Sequence, residues 1–325
     1  MNVALPRRIW LGACALLLSL TAVASGAAAQ PRKIEVVATT AMIGDAVKAV
    51  GGTRLNVEVL LGQGVDPHLY KPTRADIAKM AKADIIFANG LNLEAQFRDT
   101  FEQLARTKRV VLAGERLPKD RLLADADYKD KPDPHVWMDA ELWKGVIGAI
   151  RDALSAHDSA GRQDYDRGHE RYMGEIGRLS DYVSRVLASI PKDRRILLTA
   201  HDAFNYFSRA YNIEVIGIQG VSTESEAGLK KIEDVVELVV ARKLPSIFVE
   251  SSVSDRNVQA VIEGAARRGH KLTIGAELFS DAMGAPGTYE GTYIGMIDHN
   301  ATTITRALGG EAPSRGLNGR LGTGA

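Results

Sequence analysis

The chain has 325 residues, of which 45% are apolar and 25% are charged. This composition is typical of a globular protein rather than a disordered one, and the length allows two domains of ordinary size. The 41 basic and 40 acidic residues nearly cancel, so the chain has no excess positive charge of the kind that binds nucleic acid or a membrane surface.

The first 29 residues are typical of a secretory signal peptide. Two arginines, Arg7 and Arg8, precede an apolar run at residues 9–22, and the segment ends in the small residues 27–29 without any acidic residue. The apolar run is too short to span a bilayer, whereas the small residues suit a signal peptidase. We therefore expect cleavage before Gln30 and a soluble periplasmic protein.

The single cysteine, Cys14, lies inside this signal segment. Residues 11–14 formally resemble a lipoprotein cleavage site. Cleavage there would leave the signal with a very short apolar core, and the mature protein would begin with exposed apolar residues. We therefore interpret Cys14 as an ordinary residue of the signal peptide rather than a site of lipid attachment. The mature chain then has no thiolate or disulfide, so any metal site must use nitrogen and oxygen ligands.

Short β-rich runs alternate with helical patterns after the signal segment. The predicted strands of this first half are Ile34–Ala38, Val57–Leu61, Ile85–Ala88 and Val110–Ala113. Helical patterns such as residues 73–82 and 94–106 separate them. Strands that alternate with helices predict a parallel sheet covered by helices on both faces. The charged segment 115–134, which contains no histidine, is predicted to be a loop.

One long helix is predicted near the middle of the chain. Its apolar stripe recurs at steps of three, four or seven residues and consists of Tyr165, Tyr172, Ile176, Leu179, Val183, Val186 and Ile190. This spacing is typical of one helix face. The pattern begins after Gly161 and ends at Pro191, which cannot continue a helix. About 28 residues at 1.5 Å each give about 40 Å, enough to brace two lobes.

A second series of strands follows this helix. These strands are predicted at Ile196–Thr199, Val215–Ile218, Ile247–Glu250 and Leu272–Ile274. The predicted fold is therefore α/β, with two lobes that each contain a roughly four-stranded parallel sheet, joined by one long helix. We expect a signal peptide at 1–29, lobes at 30–160 and 192–312, the linking helix at 161–191, and a disordered Gly-rich tail at 313–325.

Four side chains point to a metal site between the lobes. His68 and His135 share the tripeptide Asp-Pro-His, His201 directly follows a predicted strand, and Asp281 follows another. Ligands in open α/β sheets bind beyond the carboxyl ends of the strands. A lone loop histidine is more often a surface residue, but this repeated pattern predicts one site with three nitrogens and one oxygen. Such a set suits Zn²⁺ and tolerates Mn²⁺ or Fe²⁺.

Several other residues are candidates for a ligand or for a supporting role beside the ligands. Glu250, at the end of a predicted strand, is either a rival of Asp281 or the carboxylate that accepts a hydrogen bond from a ligating imidazole. The other candidates for that supporting role are Asp66, Asp133, Asp139 and Asp202. The histidines outside the predicted site are His157, His169, His270 and His299, which lie in helical or loop surroundings typical of non-ligands.

These residues resemble those of the metal-binding receptors of bacterial ABC importers, the TroA-like zinc and manganese solute-binding family. The resemblance covers residues 33–308, and its most specific segments are Val65–His68, Asp133–Trp137, Thr199–Phe204, Phe248–Ser252 and Glu277–Gly284. It implies two α/β lobes joined by a long helix, and metal ligands at His68, His135, His201 and Asp281. It also implies an inner-membrane ABC permease as partner and a monomer that is not an enzyme.

The resemblance leaves the metal open. Many manganese receptors of this type have Glu where this chain has His201, which favours zinc, whereas the loop 115–134 is not the His-rich loop common in dedicated zinc receptors. We expect zinc, with manganese or iron(II) as the alternative. A zinc-dependent hydrolase is a rival class, but the chain has no His-Glu-x-x-His motif and no nucleophile elbow. Nothing in the sequence directly supports a third class, an adhesin or scaffold.

Overall fold

The computed structural model describes residues 1, 32–125, 128 and 130–322. The predicted signal peptide, its cleavage site and Cys14 lie outside these residues. The described part of the chain from residue 33 onwards belongs to one compact unit. Within it, no described helix combines the length and apolar character needed to cross a bilayer.

The first lobe is built on a four-stranded parallel sheet. Its strands are β1 (Ile34–Ala38), β2 (Leu55–Val59), β3 (Ile85–Ala88) and β4 (Arg109–Leu112), in the order β2-β1-β3-β4. The central strand β3 is buried along its whole length, as expected for a parallel sheet with both faces covered. The helices of this lobe are α1 (Ala41–Gly51), α2 (Arg74–Lys82), α3 (Arg98–Leu104) and α4 (Ala140–His157).

The linking helix α5 spans Arg162–Ala188, close to the predicted bounds. Its buried face contains the predicted stripe from Tyr165 to Val186, whereas Ile190 is buried just beyond the end of the helix. The helix packs against α1, α4 and α9 (Tyr293–Ala307). The largest cluster of buried apolar side chains includes residues from both lobes and from α5. The predicted long helix between two lobes is thus confirmed, and it shares a core with each of them.

The second lobe contains four strands arranged as two parallel pairs. They are β5 (Ile196–Thr199) with β6 (Glu214–Gly217), and β7 (Ser246–Glu250) with β8 (Thr273–Leu278). β5 lies beside β7, but the two pairs are separate ladders. The remaining helices are α6 (Asn205–Tyr211), α7 (Leu229–Arg242) and α8 (Arg256–Arg267). The strand number and direction agree with the expected roughly four-stranded parallel sheet, whereas its division into two ladders was not predicted.

The C-terminal segment differs from the expected disordered tail. Through residue 322 it packs on α9: Leu321 is fully buried, and the backbone N–H of Leu317 donates to both carboxylate oxygens of Asp298 at 2.9 Å. Gly316 adopts a φ of 69° directly over this carboxylate, where a Cβ atom would come within 2.4 Å of Oδ1. The expectation was wrong for the described part because the order comes from long-range contacts rather than from local periodicity.

Candidate metal centre

The structure brings the four predicted residues to one buried point between the lobes. His68, His135, His201 and Asp281 each offer one ligand atom, and these atoms all lie within 4.8 Å of one another. Asp281 Oδ1 lies 3.3 Å from Nε2 of His135, and Asp281 Oδ2 lies 3.3 Å from Nε2 of His201 and 3.5 Å from Nε2 of His68. Among the described residues, this is the one such group of three or more His, Cys, Asp or Glu side chains.

The fold explains why residues so distant in sequence meet. His68 lies in the loop after β2, His201 is two residues after β5, and Asp281 is three residues after β8. These loops leave the carboxyl ends of strands from three separate ladders, which is the edge at which ligands bind in open α/β sheets. His135 reaches the same point differently, from a 3₁₀ turn that leads into α4. The first lobe therefore contributes two histidines, and the second contributes a histidine and the carboxylate.

In two of the three imidazoles, the Nδ1 atom lies within hydrogen-bond distance of a carboxylate. Asp133 Oδ1 lies 2.7 Å from Nδ1 of His135 and also accepts its backbone N–H at 2.9 Å. Glu250 Oε2 lies 2.5 Å from Nδ1 of His201, and Oε1 accepts the His201 backbone N–H at 2.9 Å. A carboxylate that accepts the Nδ1 proton fixes the ring orientation and leaves Nε2 free to bind a metal. Glu250 therefore supports His201 rather than replacing Asp281.

The other carboxylates considered for this supporting role act on the backbone. Asp66 Oδ1 accepts the backbone N–H of His68 at 2.8 Å, and its Oδ2 accepts the hydroxyl of Thr223 from the second lobe at 2.6 Å. Asp139 caps the N-terminus of α4. No described hydrogen bond joins either Asp139 or Asp202 to a ring of the centre. The expectation that they compete for an imidazole was therefore wrong, because Asp139 caps α4 and the side chain of Asp202 bonds to Asn205.

The sequence did not identify the partners that come from other segments. Asn89 Nδ2 donates to the carbonyl of Pro134, the residue before His135, at 3.1 Å. Thr223 reaches Asp66 across the cleft between lobes. Both contacts join residues at least 45 positions apart, and no local pattern marks either residue.

The charges around the centre give the three imidazoles different pKa values. Burial alone would lower the pKa of His135, but Asp281 and Asp133 outweigh it and raise this pKa to about 9. Burial is likewise outweighed at His201, where Glu250 and Asp281 raise the pKa well above its usual value. No carboxylate of the described residues other than Asp281 pairs with the His68 ring, and burial outweighs Asp281 and lowers the pKa of His68 to about 3. Burial raises the pKa of Asp281, but His201 and His135 together hold it well below the usual range.

The remaining histidines lie away from the centre. His270 Nε2 lies 2.7 Å from the Leu244 carbonyl, and His299 Nε2 lies 3.0 Å from the Glu277 carbonyl. His157 ends α4, and His169 lies within α5. None belongs to the convergent group.

A set of three imidazoles and one carboxylate suits Zn²⁺ and also accommodates Mn²⁺ or Fe²⁺. Catalytic zinc sites usually have three protein ligands and an open position for water, whereas sites with four protein ligands are closed. Four buried protein atoms converge here. The arrangement can hold an ion with four protein ligands.

Comparison with known proteins agrees with this geometry. The model of the ZnuA family, described as zinc-uptake complex component A, periplasmic, matches residues 36–307. The chain belongs to the ZnuA family. The zinc-binding protein TroA of Treponema pallidum is 42% identical to this ZnuA-family chain over 303 residues, which cover 91% of the chain and 97% of TroA. The manganese-binding lipoprotein MntA of Bacillus subtilis is 39% identical over 277 residues, or 85% of the chain and 90% of MntA.

Solved structures support the same relationship. The periplasmic zinc-binding protein TroA from Treponema pallidum matches with a TM-score of 0.83 and 43% identity, covering 85% of this chain and 99% of TroA. Fe(III)-bound YtgA from Chlamydia trachomatis matches with a TM-score of 0.78 and 28% identity, covering 86% of this chain and 99% of YtgA. The named ZnuA-family relatives thus differ in metal, so membership of the family does not by itself choose the ion.

Proposed function

We propose that this ZnuA-family chain is a periplasmic receptor that captures a divalent transition metal ion between its lobes and delivers it to the permease of an ABC importer. The convergence of three imidazoles and one carboxylate at a buried point carries the proposal. The relatives support it, since they include zinc-binding and manganese-binding proteins and several ABC transporter substrate-binding lipoproteins. The ion is the transported cargo.

The proposed ligands are the Nε2 atoms of His68, His135 and His201 together with the carboxylate of Asp281. Bonds of about 2.0 to 2.1 Å to a tetrahedral zinc ion place neighbouring ligand atoms about 3.3 to 3.4 Å apart. The Nε2 atoms of His68 and His135 are 3.4 Å apart, and the separations from Asp281 are 3.3 to 3.5 Å. With Oδ1 towards His135 and Oδ2 towards His68 and His201, these four separations are compatible with a bound zinc ion.

Zinc is the proposed ion, with manganese or iron(II) transport by the same type of receptor as the alternative. Affinity at a fixed nitrogen and oxygen site rises from Mn²⁺ towards the end of the series, and imidazole nitrogens suit zinc. Tighter binding in vitro does not define the transported ion, because uptake depends on which ion is available. Growth of a deletion strain addresses this question, since rescue by manganese but not by zinc would make manganese the cargo.

The proposal extends to processing and assembly. We infer a mature, soluble monomer that begins at Gln30, with lobes at 30–160 and 192–312 joined through 161–191, and no enzymatic activity. Several relatives are named as lipoproteins, so the fate of Cys14 is the point to test. Mass spectrometry of the protein from its native cells distinguishes a Gln30 terminus from a diacylglyceryl group on Cys14, which would overturn the soluble form.

Alanine variants of the four proposed ligands test the site directly. His68→Ala, His135→Ala, His201→Ala and Asp281→Ala are each expected to weaken Zn²⁺ binding strongly in a chelator competition. His157→Ala and His270→Ala are matched controls, because they remove histidines outside the convergent group and should leave the affinity unchanged. A His201→Ala variant with wild-type affinity would remove His201 from the site, and a wild-type protein that binds no Zn²⁺, Mn²⁺ or Fe²⁺ would reject the function.

A further inference from the structure

Trp137 contacts one proposed ligand and the backbone that carries another. It lies two residues after His135 and is fully buried. Its ring meets the His135 imidazole edge-on, with the ring centroids 5.3 Å apart. Its indole Nε1–H donates to the carbonyl oxygen of Ser280, the residue before Asp281, at 2.9 Å. One side chain of the first lobe thus reaches the ligand segment of the second.

Helix α9 holds both ends of this connection. The hydroxyl of Tyr293 donates to the backbone carbonyl of Trp137 at 2.8 Å. Further along the same helix, Asn300 Nδ2 donates to the carbonyl of Phe279 at 2.6 Å, and Asn300 Oδ1 accepts the Phe279 N–H at 2.9 Å. The backbone on the N-terminal side of Asp281 is therefore held at two consecutive residues, once by α9 and once by Trp137.

We propose that Trp137 is a positioning residue that sets the distance between His135 and Asp281 across the two lobes. The inference rests on the proposed function, because it assigns a role in building that metal site. Without the indole N–H, the buried Ser280 carbonyl lacks its donor, and a buried unpaired carbonyl favours rotation of the peptide towards another partner. That peptide bond leads directly into Asp281, whose Oδ1 lies 3.3 Å from Nε2 of His135.

A second tryptophan provides a matched control. Trp143 is also fully buried, and its ring stacks on Tyr293 with centroids 5.4 Å apart. Its indole nitrogen has no hydrogen-bond partner in the described part of the chain. Trp143→Phe therefore removes the same atoms from the same core as Trp137→Phe, but it breaks no bond to a ligand segment. A purely packing role for Trp137 predicts that the two variants behave alike.

The experiment compares Trp137→Phe, Trp143→Phe and wild type by Zn²⁺ affinity and by the visible absorption spectrum of the Co²⁺-loaded protein. Residues that orient metal ligands typically change the affinity 10- to 100-fold. Trp137→Phe is expected to lose about this much affinity and to shift the Co²⁺ bands, whereas Trp143→Phe changes neither. Equal affinity and equal spectra for all three proteins, with similar losses of melting temperature in both variants, would overturn the inference.

A measurement on the wild-type protein covers the case in which Trp137→Phe fails to fold. In ¹⁵N-tryptophan protein loaded with Zn²⁺, the Trp137 indole proton should resonate downfield and exchange slowly with water. A resonance position typical of an unbonded indole, or fast exchange, would show that the bond to Ser280 is not made in the loaded state and would refute the proposal. Wild-type protein that binds no metal would instead reject the proposed function, so the two failures are distinguishable.

Discussion

The pKa values of the three histidines predict how many protons are released when a metal ion binds. A metal ion can bind only deprotonated imidazole. With a pKa of about 9, His135 is largely protonated at pH 7, and Glu250 and Asp281 also favour the protonated form of His201 because they raise its pKa. His68, with a pKa of about 3, has no proton to lose. We expect Zn²⁺ binding at pH 7 to release about two protons.

Unperturbed imidazoles would behave differently. Three histidines with a pKa near 6.5 are each about a quarter protonated at pH 7, so binding would release only about 0.7 protons in total. Isothermal titration calorimetry in buffers of different ionisation enthalpy measures the number directly, as the slope of the observed enthalpy against the buffer enthalpy. A slope near 0.7 or below would refute the electrostatic description of the site.

Glu250→Gln is the control for this measurement. The amide removes one of the two charges that raise the His201 pKa, so the variant is expected to release fewer protons and to bind Zn²⁺ about 10- to 100-fold more weakly. The raised pKa values of His135 and His201 also make the stability of the metal-free protein depend on pH. Because the pKa values of His135 and His201 are raised above that of the unfolded chain, their stabilisation is complete below about pH 6.5 and is lost as the pH rises through the raised values, about 9 for His135. Urea titrations across this range test the sign.

Three further outcomes are expected. Zn²⁺ should displace Mn²⁺ in a competition titration, and Mn²⁺ that displaces stoichiometric Zn²⁺ at equal concentration would contradict the coordination argument. Zn²⁺ should raise the melting temperature at pH 7 but lose this effect near pH 4.5, where protons compete for the imidazoles, and an undiminished shift there would count against histidine ligands. Asp298→Ala should destabilise the protein by about 1 to 3 kcal/mol through its lost bonds to Leu317, Tyr289 and Thr302, with unchanged Zn²⁺ affinity. Full stability in urea would show that the C-terminal segment does not depend on this carboxylate.

Sequence patterns alone determined the features that repeat locally. The apolar stripe from Tyr165 to Ile190 predicted the linking helix, because one buried face of a long helix imposes its period on the sequence. The alternation of strands and helices predicted parallel sheets with their carboxyl ends at one edge. The repeated Asp-Pro-His, together with His201 and Asp281 near strand ends, predicted the residues that the structure brings together.

Tertiary structure alone decided the relations between distant residues. Whether Glu250 lies at the centre or beside Nδ1 of His201 depends on the path of two separate strands. The hydrogen bond from Trp137 to Ser280 joins positions 143 residues apart. The C-terminal segment is ordered by Asp298 of α9 rather than by any periodicity of its own. The unequal pKa values of the three histidines follow from burial and from which carboxylates lie beside each ring. Such contacts leave no local signal in sequence, because their energy depends on distances that exist only after the chain has folded.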